Sequence, residues 1–80
     1  MENKISVVAI IVNDYNSVDT VNEVLHTFRG YVLGRLGLPV KERNLSVISV
    51  VIDAPQEIVN NISGKLGMIK GVSSKVLTTK

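Results

Sequence analysis

Eighty residues set the size of one domain, residues 1–80, and 36 of them are apolar, 22 of these Val or Ile. A β-branched core with one Phe, two Tyr and no Trp favours sheet over an all-helical bundle. The absence of Cys excludes disulfides, thiolate metal sites and a cysteine nucleophile, and a formal charge of +2 is too mild to imply nucleic acid.

The longest apolar run, Val7 to Val12, is far shorter than the ~20 residues that span a bilayer, and no signal-peptide pattern follows Lys4. A soluble, cytoplasmic protein with no membrane partner is expected.

Ile5 to Val12 is apolar at both odd and even positions, as in a strand covered on two sides. Asn13 to Ser17 is a polar break rich in turn residues. Val18, Val21, Val24, Leu25 and Phe28 then fall on one face of a helix, which Asn16 or Ser17 caps and Gly30 stops. Tyr31 to Val40 reads as a strand with apolar even positions (Val32, Leu36, Leu38, Val40), and Pro39 assigns it to an edge. The charged turn Lys41 to Asn44 leads into Leu45 to Ile52, again apolar on both faces. Asp53-Ala54-Pro55 opens a second helix, with Asp53 serving its N-terminus and Pro55 in its first turn. Ile58, Val59, Ile62 and Leu66 form its apolar face, and Gly67 closes it. Gly71 leads into Val72 to Thr79, the most polar strand and the second edge.

This order is a ferredoxin-like βαββαβ sandwich of the α+β class, with a four-stranded antiparallel sheet in the order 4-1-3-2 and two helices on one face. The other face would carry a Val, Ile and Leu patch too large for a soluble monomer, and the few residues outside the terminal strands are too short to cover it. A homodimer or homotetramer through that sheet face is expected.

Little points to catalysis. His26, the only histidine, lies about 140° from the centre of the apolar stripe at 100° per residue, and a lone His builds no transition-metal site. The carboxylates are scattered, and neither a nucleophile elbow nor a phosphate loop occurs. Ser63-Gly64-Lys65-Leu66-Gly67 has a Gly-Lys pair but lacks the earlier glycine, and reads as a weakened helix end. The central strands have no aromatic residues to stack bases, which removes the RNA-recognition reading of this topology. Residues 1–30 carry two basic and four acidic residues, residues 31–80 seven basic and three acidic. The basic ones are spread over several elements, so direct nucleic-acid binding is not expected. No catalytic residue, metal ligand or cofactor is assigned.

Leu25-His26-x-Phe28 followed by Arg35-x-Gly37-x-Pro39-Val40, and then Ser63-Gly64-Lys65-Leu66-Gly67-x-Ile69-x-Gly71-Val72, resemble the family of iron-only ([FeFe]) hydrogenase system regulators. That family is similar to ACT domains and to the C-terminal domain of NikR-type regulators, modules that associate and bind small effectors between subunits. The resemblance implies a non-enzymatic, self-associating regulatory module with a possible small effector. Its alternative is an interaction or assembly factor for hydrogenase maturation that takes no small ligand. NikR-type nickel sites need several His and a Cys, so nickel sensing is not implied here.

The candidate effector site is the loop after the first strand, Asn13, Asp14 and Tyr15, with Arg35 of a neighbouring edge strand. Backbone donors beside a helix N-terminus attract anions, and Arg35 is the cation on a mostly apolar strand.

Overall fold

Alternation along two strands divides the molecule. In the computed structural model, which describes residues 2–79, strand β1 (Lys4–Val12) buries Ser6, Val8, Ile10 and Val12 and turns Ile5, Val7, Ala9 and Ile11 the other way. Lys80, one of the basic residues counted above, lies outside the described residues. Strand β3 (Leu45–Ala54) likewise buries Ser46, Ile48, Val50, Ile52 and Ala54. Paired antiparallel from Lys4 opposite Ala54 to Val12 opposite Ser46, the two strands put their buried sets on the same face. Helix α1 (Val18–Thr27) contributes Val21 and Leu25 to that face, and helix α2 (Gln56–Gly67) contributes Val59, Ile62 and Leu66. Each such fully buried Val, Leu or Ile contributes roughly 1.5–3 kcal/mol. Two serines enter this layer, Ser46 and the fully buried Ser6, whose hydroxyl shares a hydrogen bond of 2.9 Å with Thr78 Oγ1.

Strand β2 (Val32–Val40) pairs with β3 and strand β4 (Val72–Thr78) with β1, giving the antiparallel order β2-β3-β1-β4. The two strands read as apolar on both faces are the central pair, and the proline-bearing and most polar ones are the edges. The ferredoxin-like arrangement and its strand order are therefore as expected. The second face of the sheet is open. Ile5, Val7, Ile11, Leu36, Leu38, Val47 and Leu77 lie on it at 36–76% exposure.

The hydrogen bonds also say which way β2 turns its backbone. Thr79 N donates to Ile5 O (2.9 Å) and Asn13 N to Gly71 O (2.7 Å), so odd-numbered β1 residues face β4 and even-numbered ones face β3. Carried through the two registers, this points Gly34, Leu36, Leu38 and Val40 toward β3 and Arg35, Gly37 and Pro39 outward. Pro39 thus lacks its N–H where no ladder bond is needed, which is how an edge strand accommodates proline.

Several local expectations are corrected. The register slips between Val32 and Gly34, so Val32 sits over the helix-side residue Ile52 while Leu36 and Leu38 lie on the open face. The apolar even positions of β2 therefore do not share one face. Asp14 supplies the side-chain cap ahead of α1: its Oδ1 accepts from Asn16 N (3.0 Å) and opens a 3-10 turn over Tyr15–Ser17. Ser17 occupies the N-cap position of α1, but its hydroxyl donates to Lys70 O (2.8 Å) instead. Gly30 does not stop α1, which ends at Thr27 and passes into a 3-10 turn over Arg29–Tyr31. Asp53 is a β3 residue paired with Ile5, and Pro55 is the N-cap of α2, which has no side-chain cap bond. The glycine that requires a left-handed backbone is Gly71, at φ +77.

Candidate functional site

Helices α1 and α2 cover the two central strands and leave the helix side of β2 bare. The residues turned to that side are Arg35, Gly37 and Pro39, and nothing lies within 4 Å of where a Cβ on Gly37 would stand. A cleft results between α1 and β2. Its wider part, about 880 Å³, runs from Asp19, Asn22, Glu23 and His26 on α1 to Val32 and Arg35 on β2. A narrower continuation of about 240 Å³ shares Asn22 and Arg35 and reaches Tyr15, Gly37 and Pro39.

Arg35 is the centre of this cleft. Its Nη2 donates to Asn22 Oδ1 at 2.6 Å, which fixes the guanidinium over the bare stretch of β2 with donors to spare. The spacing of Asp19, Asn22, Glu23 and His26 at three and four residues places them along one side of α1. Arg29 is turned back onto the end of α1, where its Nη1 donates to His26 O (2.9 Å). Fixed guanidinium donors suit carboxylate or phosphate oxygens, and the acidic groups on the same helix side suit a cationic end.

The candidate site residues divide. Tyr15, at 48% exposure, and Arg35 line the same narrow stretch. Asn13 and Asp14 are turned toward the end of the 68–71 turn: Asn13 N bonds Gly71 O, and the Asp14 backbone and Cβ lie against Gly71. They frame the loop that carries Tyr15. Asn22 and His26 were absent from the candidate set, although their spacing from Asp19 on the polar side of α1 was the available signal. Among the described residues, no group of three or more His, Cys, Asp or Glu is placed to hold a metal ion. No helix among them is long and apolar enough to cross a membrane.

Comparison with known proteins places the chain. The structure is similar to that of protein TM1266 from Thermotoga maritima, at a TM-score of 0.93 and 35% identity, covering 99% of this chain and 100% of that one. It is similar in fold alone to part of a formyltetrahydrofolate deformylase from Pseudomonas putida KT2440 (TM-score 0.61, 15% identity, 92% of this chain and 28% of that one). No curated protein matches the chain. The model of the TM1266-like family, described as "Iron-only hydrogenase system regulator, putative", matches residues 4–76. With that match over most of its length, the chain belongs to the TM1266-like family of iron-only hydrogenase system regulators.

Proposed function

We propose that this chain is a non-enzymatic, cytoplasmic, single-domain regulatory module of an iron-only hydrogenase system, self-associating through the open face of its sheet and taking a small effector in the cleft between α1 and β2. The observation that carries the reading is the open face itself. Seven Val, Ile and Leu side chains stand there side by side on four strands, each at least 36% exposed. A contiguous apolar surface of this kind marks an interface, and sheet-on-sheet packing with a second copy covers it. The family description supports the regulatory role.

For the effector, Arg35 and Tyr15 are the contacts, with Asn13 and Asp14 holding the loop of Tyr15 in place. The chemistry of the cleft favours a small molecule bearing a carboxylate or phosphate. A thermal-shift panel of amino acids, nucleotides and divalent metals tests this. A ligand at 100 times its Kd stabilises the fold by about 2.7 kcal/mol. Arg35→Ala removes a charge-assisted hydrogen bond, which weakens such a ligand by about 1.5–3 kcal/mol, and Tyr15→Ala weakens it as well. Ligand-induced shifts that survive both substitutions place the effector elsewhere. A panel without any shift favours the assembly-factor reading, in which the same surfaces bind protein only.

A further inference from the structure

Strand β4 is an edge with no break in its backbone. Its seven residues, Val72–Thr78, contain neither proline nor glycine and stay in unbroken register with β1. The ladder to β1 uses Ser73, Lys75 and Leu77, so Val72, Ser74, Val76 and Thr78 turn their N–H and C=O groups outward. The side chains of these four lie on the helix side, where Val72 and Val76 are partly buried against the core. Ser73, Lys75 and Leu77 stand exposed on the open face.

Lys75 decides what can pair with this edge. Two copies of β4 related by a two-fold at Lys75 would pair Val72 with Thr78 and Ser74 with Val76, using every outward donor of both strands. That register makes the most bonds, and it sets Lys75 directly opposite Lys75. Their Cα atoms would stand about 4.5 Å apart, where like charges destabilise a sheet. Moving the axis by one residue avoids the clash but leaves one of the four outward residues unpaired. The edge is thus guarded against its own copy and left open to a strand of opposite charge.

The surroundings carry the same sign. Residues 58–80 hold Lys65, Lys70, Lys75 and Lys80 and no Asp or Glu, and the neighbouring strand β1 adds Lys4 and no acid. Lys65 on α2 and Lys70 in the turn ahead of β4 are both exposed. Acidic side chains lie on other elements: Asp19 and Glu23 on α1, Glu42 in the turn between β2 and β3, and Asp53 on β3.

We infer that the free edge of β4 receives an acidic, extended segment of another protein as a fifth strand, with Asp or Glu opposite Lys75. Antiparallel addition gives the more stable ladder, and its hydrogen bonds go to Val72, Ser74, Val76 and Thr78. The register then sets the pattern of the segment. Read from its N-terminus, an apolar residue lies opposite Leu77, the acid two positions on opposite Lys75, and a polar residue two further on opposite Ser73. A peptide supplies both the donors and the acceptors that this edge requires, whereas a phosphate backbone supplies acceptors only. Sheet-face association leaves the β4 edge free, so the inference does not rest on it.

Fluorescence anisotropy of a labelled peptide, Thr-Leu-Val-Glu-Thr-Thr-Val, tests this against the same peptide with Lys in place of Glu. The unmodified chain is expected to bind the Glu peptide about fivefold more tightly than the Lys peptide, and Lys75→Glu to reverse the preference. Lys75 is exposed, so this variant is expected to keep the circular dichroism spectrum of the unmodified chain. Peptide chemistry tests the ladder without altering the protein. Methylating the backbone nitrogens of the third and fifth peptide residues, which face β4, is expected to abolish binding. Methylating those of the second and sixth, which face away, is expected to spare it. No binding of the Glu peptide at millimolar concentration, a preference that survives Lys75→Glu, or equal losses from the two methylation patterns overturns the inference.

Discussion

Ile62→Ala is expected to lower the free energy of unfolding by about 2–5 kcal/mol, the range for a buried Ile whose cavity cannot fully collapse. Ile62 lies in the middle of α2 and is completely buried among Val, Ile and Leu side chains of the sheet and both helices. The helix is held to the sheet by three such residues, Val59, Ile62 and Leu66, so truncating the middle one leaves a void with neighbours fixed on either side. An 80-residue domain has roughly 4–12 kcal/mol of stability in total, which makes this loss a large fraction of it. The urea midpoint falls while the slope is retained, compared at one protein concentration because association adds to the apparent stability. A loss below about 1 kcal/mol would mean that α2 is not packed as described.

Gly71→Ala is expected to cost about 2–4 kcal/mol, from two sources that act together. The backbone there is left-handed (φ +77), which penalises a side chain by roughly 1–2 kcal/mol. An added Cβ would also stand 2.7 Å from Asp14 Cβ and 3.2 Å from Asp14 N, in a place where the loop after β1 meets the entry to β4. The loop that carries Tyr15 is tied at this point, through Asn13 N to Gly71 O and Ser17 Oγ to Lys70 O. Displacing Asp14 therefore disturbs the candidate site as well as the fold. Gly64→Ala is the contrasting case. Gly64 is exposed in α2 with nothing within 4 Å of the added carbon, and alanine there stabilises by roughly 0.5–1 kcal/mol through helix propensity. Urea titrations of the two variants should move in opposite directions. Equal effects would remove the special role given to Gly71.

The strand order was legible because the βαββαβ succession and the period-two patterning agree on which strands are central. Ile5 to Val12 and Leu45 to Ile52 carry apolar residues at both parities and so belong in the middle, while Pro39 and the Ser, Thr and Lys residues of the last strand belong at edges. What escaped the sequence was set by non-local contacts. Asn16, Ser17 and Asp14 are all competent caps, and the choice falls to Asp14 because Ser17 is drawn off by Lys70 O, 53 residues away. Gly71 is one of six glycines, and only its approach to Asp14 distinguishes it. The slip at Leu33 is hidden because Val32, Leu33, Leu36 and Leu38 are apolar whichever face they take. In the site, Arg35 stood out as a lone cation on an apolar strand. Its partner Asn22 did not, since the bare helix side of β2 that brings them together depends on where α1 lies over the sheet.

The open sheet face is the centre of this account, and the solution mass of the unmodified chain at micromolar concentration tests it most directly. Sedimentation equilibrium is predicted to give at least twice the chain mass of 8.7 kDa, falling on dilution and dropping by at least half when Val7→Lys and Ile11→Lys place charges on the face. A single species at 8.7 kDa throughout the micromolar range, with the apolar face left open to water, would contradict it.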